Sequence, residues 1–109
     1  MTPPHIQKKI DQMVQRIIEQ FHPHQIILFG SYAKGTAGPD SDVDLLIVMP
    51  VSGSKRETTI AIRSALHGMG IPKDIVVATP DDIEAYRGVV GTIIRPALQE
   101  GRILYERAA

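Results

Sequence analysis

The chain has 109 residues, 43% of them hydrophobic, and we expect one globular domain over residues 1–109. Cys is absent, which excludes disulfides and thiolate metal sites, and we expect a cytoplasmic protein because neither a signal peptide nor a membrane-length apolar run is recognisable. Twelve basic and twelve acidic residues cancel, which argues against binding long nucleic acid and favours a small nucleotide or another protein as the partner.

Hydrophobic periodicity, interrupted by Gly and Pro, predicts a series of short helices and strands. The first is an amphipathic helix over residues 4–21, which His22-Pro23 ends. Thr79 caps a later helix that begins at Pro80 and has acidic residues in its first turn. The other predicted elements are a strand at 25–29, a helical turn at 31–34, a strand at 43–49, a helix at 55–69, a strand at 74–79, a helix at 92–100 and a strand at 102–105.

A Gly-Ser turn and an Asp-x-Asp pair carry most of the chemical information. The first strand ends at Phe29 and is followed by Gly30 and Ser31, and about ten residues later Asp42 and Asp44 open the second strand. Gly30 has no side chain, so phosphate oxygens can approach the backbone, and Ser31 offers them a backbone N–H and a hydroxyl. Side chains alternate along a strand, so both acids point the same way, and Mg²⁺ prefers such carboxylate ligands. A lone Asp-x-Asp is more often a pair of solvated acids, but the joined motifs predict a site for a metal-bound nucleoside triphosphate.

The positions of these motifs also predict how the strands are arranged. The turn ends the first strand and the acids begin the second, so these strands must run antiparallel to meet at one sheet edge. A helix joins the second and third strands, as is usual for parallel neighbours, and this brings Asp74 to the edge that holds Asp42 and Asp44. We expect an α/β (α+β-like) fold with a small mixed β-sheet and flanking helices. Three carboxylates there can hold two Mg²⁺ ions, and Lys34 can reach the outer phosphates.

At these residues the chain resembles the minimal nucleotidyltransferases (MNT) of the DNA polymerase beta superfamily. Their signature is an apolar residue, Gly, then Gly or Ser, about ten residues and Asp-x-Asp, and the likeness covers roughly residues 6–105. Lys73 departs from the pattern, since an apolar residue often precedes the third carboxylate. The residues that carry the resemblance are Phe29, Gly30, Ser31, Asp42, Asp44 and Asp74.

Among these relatives the chain looks most like the antitoxin of MNT–HEPN toxin–antitoxin systems. The resemblance implies Mg²⁺-dependent transfer of AMP from ATP to a tyrosine of the cognate HEPN ribonuclease toxin, with which the chain would form a hetero-oligomer. The predicted catalytic and metal-binding residues are Asp42, Asp44 and Asp74, and the predicted nucleotide-binding residues are Gly30, Ser31 and Lys34.

Two other functions stay open, and two other motifs are disfavoured. The chain could neutralise a toxin by masking it without catalysis, or it could modify a small-molecule hydroxyl, although transferases of that kind usually carry an added helical domain. A P-loop is disfavoured because Lys34-Gly35-Thr36 inverts the Gly-Lys-Thr order. A haloacid-dehalogenase phosphatase is disfavoured because Leu46 stands where that family has Thr or Val.

The short chain leaves little sequence for an acceptor pocket. We therefore expect an active-site edge that is open to solvent and an acceptor protein that brings its own docking surface. The apolar residues that could be spare for docking are Val89, Val90, Ile93 and Ile94, although core packing is the simpler expectation for them.

Overall fold

The computed structural model describes residues 2–108, and its central feature is a four-stranded mixed sheet with helices on both faces. This architecture confirms the predicted fold class. No helix between residues 2 and 108 is both long and apolar enough to cross a bilayer. The elements are α1 Pro4–Phe21, β1 Gln25–Phe29, α2 Ser31–Lys34, β2 Val43–Val48, α3 Lys55–Ala65, β3 Lys73–Ala78, α4 Pro80–Tyr86, α5 Ile94–Glu100 and β4 Arg102–Glu106.

The strand order β3-β2-β1-β4 places the two motif-bearing strands, β1 and β2, at the centre of the sheet. β1 pairs antiparallel with β2 and with β4, whereas β2 pairs parallel with β3. Both predicted pairings are therefore confirmed. The register sets Asp44 opposite Phe29 on one side and opposite Asp74 on the other. The end of β1 and the starts of β2 and β3 consequently share one edge of the sheet.

The helices α1 and α3 cover one face of the sheet and form the larger part of the core. The buried side chains of α1, Ile10, Met13 and Ile17, lie at helical spacing, as its amphipathic pattern predicts. Ile62 of α3 packs into the same cluster. Full burial of each such side chain contributes about 1.5–3 kcal/mol, so this face supplies much of the apolar free energy of folding.

The other face is covered by α4 and α5, which have only seven residues each. Ile83 of α4 and Ile94 and Ala97 of α5 pack against the strands there. Two helices this short shield less of a sheet than α1 and α3 do. Apolar side chains consequently remain exposed on this side, such as Ile103 of β4, which is 58% exposed.

The start of α4 follows the sequence signal closely. The Thr79 hydroxyl accepts a hydrogen bond from the Asp82 N–H, and the Asp82 carboxylate accepts one from the Thr79 N–H, both at 3.0 Å. This reciprocal capping box confirms the predicted cap, and loss of such a cap costs about 1 kcal/mol. Lys55 Nζ lies 2.7 Å from Asp82 Oδ2, which links the first turns of α3 and α4.

The predicted length of the 55–69 helix is wrong, because α3 ends at Ala65. Leu66 leaves the helical conformation, with φ −96° and ψ 5°, and Gly68 turns the chain with φ +83°. Leu66 and Met69 are nevertheless buried in the core. Their apolar character therefore reflects a core-facing turn, which the sequence pattern does not distinguish from a further helical turn.

The helix predicted over 92–100 begins two residues later, at Ile94. Gly91 has φ +95°, and the Thr92 hydroxyl donates a hydrogen bond to the Val89 carbonyl at 2.9 Å, so the turn continues through these residues. The strands predicted at 43–49, 74–79 and 102–105 each lie within one residue of β2, β3 and β4. The positions of all the strands are thus confirmed.

Candidate active site

Parts of both predicted motifs meet around a cleft of about 320 Å³ at one edge of the sheet, which Gly30 and Asp44 line whereas Ser31 and Asp42 do not. A larger cavity of about 520 Å³ lies elsewhere, but no carboxylate lines it, so we place the site at the smaller cleft. β1 leads into this cleft at the Gly30 turn, and the pairing of β2 with β3 sets two acids side by side. The residues that line it are Phe29, Gly30, Lys34, Asp44, Asp74, Ile93, Pro96 and Glu100.

Gly30 is the point at which the backbone turn lies against a carboxylate. Its φ of +73° and ψ of −154° belong to a region that is almost restricted to glycine. A Cβ built on Gly30 would overlap the Asp44 carboxylate. The Gly30 carbonyl accepts hydrogen bonds from the N–H groups of Ala33 and Lys34, both at 3.1 Å, which starts α2. Glycine is therefore required here both for the backbone conformation and for the close approach to Asp44.

The two other predicted nucleotide-binding residues are the ends of α2. Ser31 begins this helix and is half-buried, whereas Lys34 ends it and lines the cleft. Lys34 Nζ lies 3.1 Å from Glu100 Oε2, and both side chains are 52% exposed. An ion pair this exposed contributes about 0–1 kcal/mol to stability, so little free energy would be lost if Lys34 left Glu100 to bind a phosphate. Nucleotide binding by Ser31 and Lys34 stays a prediction.

Asp44 and Asp74 lie side by side where β2 and β3 begin, and Asp42 lies near them but does not line the cleft. Asp44 is half-buried and paired in register with Asp74, and Asp42 is exposed immediately before β2. Burial raises the pKa of Asp44, and the negative charges of Asp74 and then of Asp42 raise that pKa further. A nearby cation would have the opposite effect, because it favours ionised carboxylates. The electrostatics of this edge are thus those of an acidic cluster that a cation would stabilise.

The carboxylates are not arranged as ligands in advance. Within residues 2–108, no three His, Cys, Asp or Glu side chains form a ready metal-binding group. Asp74 Oδ1 accepts a hydrogen bond from Arg63 Nη2 at 3.2 Å, and both side chains are about half exposed. The donor set still fits Mg²⁺, which takes oxygen ligands from one or two carboxylates and fills its shell with water and substrate phosphates. The metal-binding roles of Asp42, Asp44 and Asp74 stay predictions.

Arg63 and Glu100 lie beside the site, and the sequence does not predict either of them. Arg63 is in the last turn of α3, and Glu100 ends α5. Glu100 comes to Lys34 because α5 packs on β1, and Arg63 comes to Asp74 because α3 packs beside β3. Neither residue belongs to a motif, so only the tertiary packing brings them to the cleft.

Residues 8–104 match the sequence pattern that defines the nucleotidyltransferase domain. The chain belongs to this family of nucleotidyltransferases. A protein of Methanocaldococcus jannaschii, provisionally named a protein adenylyltransferase, is 30% identical to it in an alignment of 105 positions that covers 90% of this chain and 70% of the relative. The resemblance to nucleotidyltransferases is therefore confirmed.

Solved structures share the fold of this nucleotidyltransferase. A provisionally named nucleotidyltransferase from Sulfolobus solfataricus matches with a TM-score of 0.64 and 16% identity, over 98% of this chain and 91% of that one. A chain in the complex of a tri-AMPylated HEPN toxin with an MNT antitoxin, from Shewanella oneidensis, matches with a TM-score of 0.55 and 17% identity. That match covers 93% of this chain and 72% of the other. At these identities the likeness establishes the fold alone.

Proposed function

We propose that this nucleotidyltransferase transfers AMP from ATP to a tyrosine hydroxyl of a HEPN-type ribonuclease toxin, and so acts as its antitoxin in the cytoplasm. The observation that carries the proposal is the close approach of the Gly30 turn to Asp44, with Asp74 in register beside it. A protein acceptor is supported by the adenylyltransferase name of the Methanocaldococcus relative and by the AMPylated toxin that accompanies one structural neighbour.

The turn after β1 would hold the triphosphate. Gly30 gives phosphate oxygens access to the backbone, and Ser31 offers a backbone N–H and a hydroxyl at the start of α2. Lys34, already in the cleft, would exchange Glu100 for the outer phosphates. These contacts orient the α-phosphate toward the carboxylates at the starts of β2 and β3.

The carboxylates Asp42, Asp44 and Asp74 would hold Mg²⁺, as two ions. When bound, Mg²⁺ neutralises phosphate charge and lowers the pKa of the acceptor hydroxyl. In the transfer, the acceptor oxygen bonds to the α-phosphorus and the bond from that phosphorus to the oxygen bridging to the β-phosphorus breaks. Pyrophosphate leaves with the electron pair of that bond, and the hydroxyl proton passes to solvent water. The Asp44 carboxylate lies against the Gly30 turn, and correct positioning of such groups supplies much of the rate of a transfer reaction.

The size of the cleft supports an acceptor that brings its own binding surface. Pockets for small ligands usually measure about 300–1,000 Å³, and this cleft of about 320 Å³ is at the lower end of that range. A nucleotide alone would fill it. A small-molecule acceptor would need a second pocket beside the cleft, whereas a protein can cover the open side with its own residues.

Mass spectrometry of candidate acceptors tests the proposal. The chain is incubated with ATP and Mg²⁺ and with each acceptor in turn: the protein encoded by the neighbouring reading frame, aminoglycosides, small alcohols and free nucleotides. We expect whole AMP units on the neighbouring protein and none on the small molecules. Efficient modification of a small molecule alone would overturn the proposal.

Variants separate catalysis from masking. Asp44→Asn should abolish the mass increase, whereas Asp40→Asn, the same change at an exposed acid in the preceding loop, should not alter it. If the wild-type chain inhibits the toxin while the toxin mass stays unchanged, the chain is a mask and not an enzyme acting on that protein.

A further inference from the structure

An exposed group of apolar side chains joins α4 to α5. The exposed fractions are 44% for Tyr86, 43% for Val89, 78% for Val90 and 46% for Ile93, and we call these four residues the apolar ridge. Core packing, the simpler expectation from the sequence, holds only for Ile94, which is 7% exposed. The ridge exists because α4 and α5 are short and the residues between them stand out from the sheet.

The ridge adjoins the active site at one end. Ile93 lines the cleft that also contains Asp44 and Asp74. At the other end, Arg87 lines the larger cavity of about 520 Å³, together with apolar residues such as Ile103. A molecule seated along the ridge would therefore touch the rim of the catalytic cleft. This is the position from which a hydroxyl can enter the cleft.

The charged residues within the segment that carries the ridge are basic, although the chain as a whole is neutral, whereas the cleft at the Ile93 end is lined by Asp44, Asp74 and Glu100. Between Glu84 and Glu100 the sequence contains Arg87 and Arg95 and no acidic residue. Neither arginine forms an ion pair within residues 2–108, where the observed pairs involve Lys34, Lys55 and Arg63. A binding partner with carboxylates beside an apolar segment would complement this surface.

We propose that the apolar ridge is the docking surface for the acceptor protein, which presents an apolar segment flanked by Asp or Glu next to its target hydroxyl. This inference rests on the proposed function, since it assigns the partner of the same site. A second copy of the chain fits less well. A symmetric contact sets the same patch against itself, which would bring Arg87 and Arg95 of the two copies together, and like charges oppose such pairing.

The test replaces residues of the ridge in the full chain and uses the neighbouring-frame protein as the acceptor. Val90→Asp sets an acid at the most exposed apolar position, and Arg87→Glu reverses a flanking charge. The matched control is Ile60→Asp, because Ile60 is 53% exposed on α3, which packs on the opposite face of the sheet. Three quantities are measured: acceptor affinity, AMP incorporation, and ATP affinity without the acceptor.

We expect Val90→Asp to weaken acceptor binding about 10-fold or more, as for a central contact residue, with a matching loss of AMP incorporation at limiting acceptor. Arg87→Glu should weaken binding and reduce its dependence on salt, since an attraction between opposite charges has been removed. ATP affinity should stay within about 2-fold of wild type in both variants, and Ile60→Asp should match wild type in all three measurements.

The outcomes for docking and for catalysis can be told apart. If Val90→Asp binds the acceptor as tightly as the wild-type chain does, the ridge is not the docking surface, even if the chain does transfer AMP. If the wild-type chain binds the acceptor, Val90→Asp weakens that binding and no AMP is transferred, then the docking surface is supported and the proposed function is wrong. A chain that neither binds nor modifies the acceptor would contradict both. A dimer of the isolated chain that Val90→Asp dissociates would assign the ridge to a second copy and end the proposal.

Discussion

Replacing Gly30 by alanine perturbs the backbone conformation of the turn and its approach to Asp44 at the same time. Holding a residue with a Cβ at φ +73° and ψ −154° lowers the free energy of unfolding by about 1–3 kcal/mol. The new Cβ would also overlap the Asp44 carboxylate, and turning that side chain off its rotamer costs about 0.5–1.5 kcal/mol. We therefore expect Gly30→Ala to lower the free energy of unfolding by about 2–4 kcal/mol, which corresponds to roughly 10–30 °C in melting temperature for a domain of this size.

Gly35→Ala is the matched control. Gly35 has φ +77°, close to that of Gly30, but no atom lies within 4 Å of the Cβ that alanine would add. Gly35→Ala should therefore lower the free energy of unfolding through the backbone conformation alone, by about 1–2 kcal/mol. AMP transfer should survive Gly35→Ala, whereas Gly30→Ala should lower it by about 10²-fold or more, since displacement of a positioned group by about 1 Å has an effect of that size.

Combining Gly30→Ala with Asp44→Ala isolates the part of the destabilisation that comes from the overlap with the Asp44 carboxylate. In an Asp44→Ala background, the nearest atom left to the added Cβ is the Cβ of residue 44, at 3.4 Å, which is ordinary van der Waals contact. Chemical denaturation of the four proteins should show that Gly30→Ala costs about 0.5–1.5 kcal/mol less in this background than in the wild type. Equal losses in both backgrounds, or AMP transfer by Gly30→Ala at the level of Gly35→Ala, would refute the contact between the turn and Asp44.

Three further predictions concern the acids and the exposed ion pairs. Asp44→Asn should abolish AMP transfer but stabilise the metal-free protein at neutral pH in thermal unfolding, because it removes a half-buried charge that faces other acids; destabilisation would contradict this. Hydrogen bonds from Lys55 and from the Thr79 backbone lower the pKa of Asp82, so its ionised form favours folding. That stability is complete above the unfolded pKa of about 3.9 and is lost as pH falls through the lower folded pKa, so urea unfolding of Asp82→Asn should show a weaker acid dependence than wild type. Glu100→Gln should raise ATP affinity by at most about 5-fold in calorimetry, mainly by releasing Lys34, and should have a smaller effect in a Lys34→Ala background.

The strand arrangement could be predicted because the motifs constrain it. A site formed by the Gly30 turn and Asp44 requires antiparallel β1 and β2, and the helix between β2 and β3 implies a parallel pair, which together place Asp74 at the same edge. The capping box at Thr79 follows equally directly from local residue types. These features depend on short-range patterns or on connectivity, and the sequence contains both.

Features that depend on side-chain packing could not be predicted. The end of α3 at Ala65 is not predicted, because a buried Leu66 fits the hydrophobic pattern of a core-facing turn as well as that of a helix. The pairing of Asp74 with Arg63 depends on how α3 lies against β3. The exposure of Val90 depends on how little of the sheet α4 and α5 cover, and hydrophobicity alone indicates burial there.

Isotopic labelling of ATP tests most directly whether this chain transfers a nucleotidyl group to a protein. The wild-type chain is incubated with Mg²⁺, the neighbouring-frame protein, and ATP labelled either at the α-phosphate or at the γ-phosphate, and the label on the tyrosines of the acceptor is then counted. We predict incorporation from α-labelled ATP only, and none with Asp44→Asn. Incorporation from γ-labelled ATP, or none from either while the toxin is still inhibited, would contradict the assignment of AMP transfer to the cleft between the Gly30 turn and the carboxylates.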